Sequence, residues 1–363
     1  MKIAAFGDLH AHSFKEFDRK SDRTGSQRLD NIVDTLLFIR DDSVRRGVEL
    51  VAFVGDMFHV RGKVDTIVFN AIYDTLKTFH QHGLEVVAIA GNHDQKDNSD
   101  VPEHSLHAFN DIPGVTVYGD LALHYVADED LFLHCVPYSK NAQRIKDWVS
   151  DRAKEYGGED VHWTNRDTQH ICLFHLGISG AFVGNGSYPM ADAFVPEDLR
   201  PDFYKYVVGG HFHRRQLIDG YDNFLYTGAP IQHSFGDEGE EKGYVILDTE
   251  RRCDIQFIPV PNPMFYSMTL DQMTHEILDE HVVQGNYVRA LLKENEVQTF
   301  NSIVPQGLNY KLVLEKTYEE QTRIDVRIGM TEEEVVTKYA QEHNPDALDI
   351  GLRILEEVKG NVQ

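Results

Sequence analysis

A chain of 363 residues with 41% hydrophobic and 26% charged side chains can bury a full core and still carry a second, smaller domain. Its 35 basic against 59 acidic residues give a formal charge of −24, which excludes a nonspecific nucleic-acid coater, since such binding needs phosphate neutralisation by Lys and Arg. No stretch nears the ~18 uninterrupted apolar residues of a membrane span. An enzyme acting on nucleic acid is not excluded, because bound cations and a local basic rim can supply the attraction. Cys135, Cys172 and Cys253 form no CxxC pair, and the first two sit inside apolar runs. They read as buried thiols of a cytoplasmic protein in a reducing compartment. The N-terminal Met1–Phe6 is too short for a signal-peptide core and reads as a mature first strand.

Lys2–Phe6 is a short strand, followed by a polar loop over 11–27. Leu29, Ile32, Val33, Leu36, Leu37 and Val44 fall at helical spacing, and Gly47 closes that helix. Leu50–Val54 fits a buried parallel strand. A second helix spans Asp65–His82, Gly83 stops it, and Leu84–Ala90 is the next strand. This alternation predicts an α/β sheet with right-handed crossovers, whose functional groups gather beyond the carboxyl ends of the strands. Strands follow at Val115–Tyr118, Leu131–Val136, Ile171–Phe174 and Tyr206–Val208, with a polar helix around Ala142–Tyr156. Gln216–Ile218 and Phe224–Tyr226 flank an Asp219-Gly220 turn, and Val245–Asp248 and Asp254–Val260 continue as strands. The Pro259, Pro261, Pro263 run marks a domain boundary. The expected organisation is a main domain over 1–262, a small α+β unit over 263–328 and a helical tail over 329–363. In the tail, Thr331 and Glu334 have capping-box spacing, and Asn344-Pro345 separates two helices.

Five polar clusters end hydrophobic runs: Asp8-Leu9-His10, Gly55-Asp56, Gly91-Asn92-His93-Asp94, Phe174-His175 and Gly210-His211-Phe212-His213. Two carboxylates, an amide oxygen and four imidazoles without cysteine form a donor set that can hold two divalent ions, and such pairs hydrolyse phosphate esters. Asp56 has two oxygens and can bridge the ions; neutral Asn92 limits the ligand charge. His93 directly follows a ligand, so it suits a general acid or a charge neutraliser better than a metal ligand. His59 can contact the same phosphate. Arg61 and Lys63 are candidate substrate contacts, and Arg19, Lys20, Arg23 and Arg28 are either a substrate rim or a solvated loop face. Most of the 19 histidines must be incidental, among them His80 and His82 at a helix end and His104, His107 and His124 on expected loops. It is the joint placement of seven compatible donors at strand ends that argues against chance.

In this order, Asp-x-His, Gly-Asp-x-x-His, Gly-Asn-His-Asp, His and Gly-His-x-His resemble the calcineurin-like metallophosphoesterases over residues 7–213. The resemblance implies a four-layer α/β fold, a β-sandwich of two mixed sheets flanked by helices with a dinuclear site at the sheet edge. It implies one ion on Asp8, His10, Asp56 and His213, and another on Asp56, Asn92, His175 and His211, with His93 as the catalytic histidine. The Gly55-Asp56-Met57-Phe58-His59 form is similar to the DNA-repair exonuclease branch, the SbcD-type nucleases and their relatives in eukaryotes, archaea and bacteriophages. Tyr226-Thr227-Gly228-Ala229-Pro230, Ser234-Phe235-Gly236-Asp237 and Lys242-Gly243-Tyr244 resemble the same branch, with Ala229 for its usual Ser and Asp237 for its usual Glu.

The compact length resembles the bacteriophage recombination endonuclease subunits, which would place the chain in a host cytoplasm. What that branch implies is a Mn²⁺-dependent DNA exo/endonuclease, with Fe²⁺, Zn²⁺ or Mg²⁺ as alternatives. Its 263–328 unit would be a DNA-contacting cap. The chain would form a homodimer, and its tail would dock on an SMC-like coiled-coil ABC ATPase, unless the tail packs on its own cap. The competing expectations are a small-molecule or cyclic-nucleotide phosphodiesterase or phosphatase, favoured by the negative charge, and a non-catalytic scaffold, disfavoured because no ligand position is lost.

Overall fold

The computed structural model describes the chain except residues 101, 158–167, 184–192, 252, 316–323, 325, 327–329 and 361–363. Its first sheet has the order β12-β11-β1-β2-β3-β4, formed by Ile255–Pro259, Gly243–Asp248, Lys2–Phe6, Leu50–Phe53, Glu85–Ile89 and Val115–Tyr118. β1 to β4 are mutually parallel, while β11 and β12 are antiparallel additions. The second sheet has the order β5-β6-β7-β8-β10-β9, formed by Ala122–Val126, Leu131–Val136, Gln169–His175, Tyr206–Gly210, Phe224–Tyr226 and Gln216–Leu217. β6, β7, β8 and β10 are parallel, with antiparallel β5 and β9 at the edges.

The near-continuous apolar strands have a simple cause: both faces of each sheet are covered. Strand side chains alternate, so β1 sends Ile3 and Ala5 into the layer between the sheets and Ala4 and Phe6 to the opposite face. Leu133, Cys135, Ile171, Leu173, Tyr206 and Val208 complete the inter-sheet core. Outside the first sheet lie α1 (Gln27–Arg45) and α2 (Thr66–Gln81), which bury Leu29, Ile32, Leu36, Ile39, Ile72, Leu76 and Phe79. Outside the second lies α3 (Ala142–Gly157), burying Ile145, Val149 and Ala153. The expected four-layer sandwich is present.

Helix limits follow from caps. The α1 helix starts two residues before Leu29 because the Ser26 hydroxyl accepts from Leu29 N–H; Asp65 likewise accepts from Ile67 N–H to start α2. One strand escapes the sequence pattern: β5 is half-exposed on both faces, so no clean alternation marks it, and His124 lies in this strand rather than on a loop. Arg28 is also a correction. It is neither a solvated side chain nor a rim, being only 6% exposed.

A third sheet, β13-β14-β15 (Phe265–Thr269, Tyr287–Leu292, Asn309–Leu314), is parallel, with α4 (His275–Gln284) and α5 (Val297–Ile303) as crossovers and its own core of Met268, Leu278, Val288, Ala290, Leu292 and Phe300. Phe265 and Tyr287 pack with Phe17 and Phe235, and Asn31 Nδ2 donates to the Tyr287 hydroxyl at 2.7 Å. Most of the expected 315–328 part of this unit lies outside the described residues.

Residues 315–363 form a separate compact unit. Its α6 (Glu332–His343) begins with the Thr331–Glu334 capping box, and Asn344-Pro345 separates it from α7 (Leu348–Gly360). Lys359 pairs with Glu332 and Glu333, while Ile350 and Ile354 are exposed. No helix among the described residues is long and apolar enough to cross a membrane.

Candidate metal centre

The seven predicted donors come from the ends of β1, β2, β3, β7 and β8 and converge. Imidazole Nε2 atoms of His10 and His213 face each other at 3.1 Å, although 203 residues separate them. Asp56 Oδ2 lies 3.6 Å from His10 Nε2 and 3.3 Å from His175 Nε2, between the two halves of the site. Asn92 Oδ1 lies 3.2 Å from His175 Nε2 and 3.1 Å from His211 Nδ1. Both Asp8 oxygens sit 3.0 Å from the His211 N–H. Asp8, His10 and His213 have the mutual spacing of a cation site, as do Asp8, Asp56 and His175. This donor set fits hard or borderline divalent cations.

Backbone strain concentrates here. Of the eight described non-glycine residues with positive φ, four are predicted donors: Asp8 (53°), His10 (47°), Asp56 (60°) and His211 (104°). Each such residue costs about 1–3 kcal/mol and persists only where its surroundings over-determine it. Glycine is needed beside them: a Cβ on Gly91 would strike the Asp56 carboxylate, and one on Gly55 would strike the His175 ring.

Asp94 supplies much of the over-determination. Fully buried, its carboxylate accepts from the N–H groups of Asp56 (2.9 Å), Gly91 (3.0 Å), Phe58 (3.1 Å) and Met57 (3.3 Å), locking two ligand loops together. Burial, then the Asp56 charge, pushes its carboxyl up to about 7, against the pull of those donors. Lys242 and the 226–230 segment act similarly on His213: its carbonyl accepts from Lys242 Nζ at 2.8 Å and from Ala229 N–H at 3.0 Å. No role for these segments is legible in the sequence, because nothing local shows that they meet His213.

His93 reaches the mouth of the site. Its ring lies 4.7 Å from the His10 ring and its Nδ1 is 2.6 Å from the His59 carbonyl, which leaves Nε2 free to face a ligand. His59 stacks on it at 5.8 Å and lies 5.5 Å from His10. Arg61 and Lys63 are not drawn into the centre. Arg61 donates to the Asp97 carbonyl at the surface, and Lys63 lines a 260 Å³ cavity with His12, Phe58 and Val60. Arg19 donates to the Gly307 carbonyl and Arg23 pairs with Asp34, so neither faces the centre.

Electrostatics in the ion-free protein follow from burial. It pushes His211 down to about 3 and His10 well below its usual range. Burial would lower His175 as well, but Asp56 and Asp8 outweigh it and hold the imidazolium up to about 9. Asp56 is correspondingly held well below the usual carboxylate range: burial opposes this, but His175 dominates. The sign is set by His175. Its paired imidazolium stabilises the ion-free fold fully below about 6.5, and that contribution is lost as pH rises through about 9. A divalent cation bound at His175 would have to displace that proton, so affinity for such a cation is expected to rise up to about tenfold per pH unit from 7 to 9 and then level off. Mn²⁺ titration monitored by electron paramagnetic resonance checks this; a flat profile would refute it.

The calcineurin-like phosphoesterase sequence profile matches residues 1–215. The chain belongs to that family. Among relatives of this phosphoesterase, exonuclease subunit 1 of Enterobacteria phage T4 is 26% identical over 221 residues, 60% of this chain and 58% of the phage protein. The DNA double-strand break repair protein Mre11 of Sulfurisphaera tokodaii is 22% identical over 352 residues, 86% of this chain and 82% of that protein. An SbcCD nuclease subunit of Rhodobacter capsulatus is 24% identical over 253 residues, 60% of each chain. The match thus spans less than two-thirds of the phage and Rhodobacter proteins.

Proposed function

We propose that this phosphoesterase is a two-metal DNA nuclease, cutting phosphodiester bonds during end processing, recombination and repair. The observation that carries the reading is the convergence of seven O- and N-donor residues, linked through Asp56, Asn92 and the facing His10 and His213 rings, joined to relatives named for DNA nuclease and break-repair activity. One ion would sit on Asp8, His10, Asp56 and His213, the other on Asp56, Asn92, His175 and His211, with Mn²⁺ the first candidate. Such a pair supplies Lewis acidity and lowers the pKa of a coordinated water. The protein's own contribution is placement. His93, with Nδ1 committed to the His59 carbonyl, presents Nε2 to the leaving oxygen or to the phosphoryl charge. His59, stacked beside it, is placed to hold a non-bridging oxygen of the same phosphate.

The net charge of −24 suits a subunit that borrows DNA affinity from a partner. The helical tail over 329–363, with Ile350 and Ile354 exposed, is the candidate docking segment for a coiled-coil ABC ATPase, the nuclease acting as a homodimer. The same charge favours a second reading, a phosphodiesterase for small molecules. Side-by-side turnover of linear duplex DNA, cyclic nucleotides and phosphopeptides with Mn²⁺ decides between them. We expect nucleotide release from DNA ends; hydrolysis of cyclic nucleotides with intact DNA would reverse the assignment.

A further inference from the structure

A further imidazole touches the centre without belonging to the donor set. His233 Nε2 donates to the Asp8 carbonyl at 2.8 Å, so this nitrogen carries its proton and is committed to the backbone. Its ring stands 5.2 Å from the His10 ring at 88° and 5.1 Å from the His213 ring at 67°. It therefore walls in the two imidazoles whose Nε2 atoms face each other, and it fixes the peptide of Asp8, a residue in the left-handed region at φ 53°.

His233 is itself fixed from behind. Its N–H donates to Asp237 Oδ2 at 2.9 Å, and its carbonyl accepts from Arg28 Nη2 at 3.0 Å. Arg28 is buried and makes no ion pair among the described residues; Nη1 donates to the Glu16 carbonyl at 3.2 Å. Its guanidinium lies 4.4 Å from the Phe14 ring and 5.2 Å from each of Phe265 and Tyr287, the first residues of β13 and β14. A cation this deep, satisfied by carbonyls and ring faces, stays in place only while the third sheet covers it.

We propose that His233 is a positioning residue for the Asp8–His10–His213 side of the metal centre, held in register by Arg28 and the packed 263–314 layer. The role rests on the two-metal reading above. Groups that orient metal ligands from outside the coordination sphere typically contribute about 10–100-fold to metal affinity. A purely structural histidine would not affect one ion and spare the other.

The test is Mn²⁺ binding to the full chain, by calorimetry with thermal melting as a fold check, for wild type, His233→Leu, His233→Gln, His233→Asn and Arg28→Met. Wild type is expected to take two ions. His233→Leu should weaken one of them about tenfold and leave the other unchanged. His233→Gln, whose amide N–H reaches the position of Nε2, should restore most of the affinity; the shorter His233→Asn should not. Arg28→Met should weaken the same ion. Two wild-type affinities in His233→Leu, or equal losses in the Gln and Asn variants, would overturn the positioning role, and wild-type binding by Arg28→Met would overturn the Arg28 link. If His233→Leu does not melt cooperatively, the Gln and Asn pair carries the comparison. Wild type taking up fewer than two ions would overturn the two-metal reading, and this role with it.

Discussion

In the two-metal DNA nuclease proposed above, replacing His93 with alanine should cut Mn²⁺-dependent DNA hydrolysis by about 10²–10⁴-fold, the range for removing a general acid or base, while both ions stay bound. The separation follows from the local geometry. His93 contributes its backbone N–H to Asp56 Oδ1 at 2.8 Å, and alanine keeps that bond. What alanine loses is the ring beside His10 and His59. Steady-state kinetics on linear duplex DNA, with Mn²⁺ stoichiometry measured in parallel, checks both halves. Hydrolysis at the wild-type rate would remove His93 from the mechanism, and loss of an ion would make it a structural residue instead.

Asp94→Ala is expected to act through the fold rather than the chemistry. Four buried N–H groups from two loops converge on this one carboxylate. Leaving a buried donor unsatisfied costs about 1–3 kcal/mol, so the variant should lose at least about 3 kcal/mol of stability. The same change frees the peptide of Asp56, which is held at φ 60°, so the ion affinity should fall as well. Urea unfolding of the ion-free protein would show a lower midpoint at an unchanged slope. A midpoint within experimental error of wild type would mean that water replaces the carboxylate, and the latch would be unnecessary.

The two variants differ in how visible their residues are from sequence. His93 stands in a four-residue block at the end of a strand, and the block itself suggests chemistry. Asp94 is in the same block, yet nothing local shows that its partners are the N–H groups of residues 56–58. His233 has no signal at all: it lies in an irregular segment, and its bond to the Asp8 carbonyl spans 225 residues. Arg28 misled for the same reason. A basic residue beside a polar loop looks solvated until Phe14, Phe265 and Tyr287 close over it.

Alternation and helical spacing in the chain were enough to set most strands of the two large sheets, their flanking helices and the end of each strand on which the donors stand. Burial of both sheet faces makes strands nearly continuous in hydrophobicity, and the predicted donors stand where those strands stop. Local pattern could not fix β5, whose faces are both half-exposed, nor the supports around the donors. Those supports are hydrogen bonds between residues far apart in sequence, and only folding brings such partners within about 3 Å. The chain alone therefore pointed to the candidate metal donors, while tertiary packing decided what holds them at strained backbone angles.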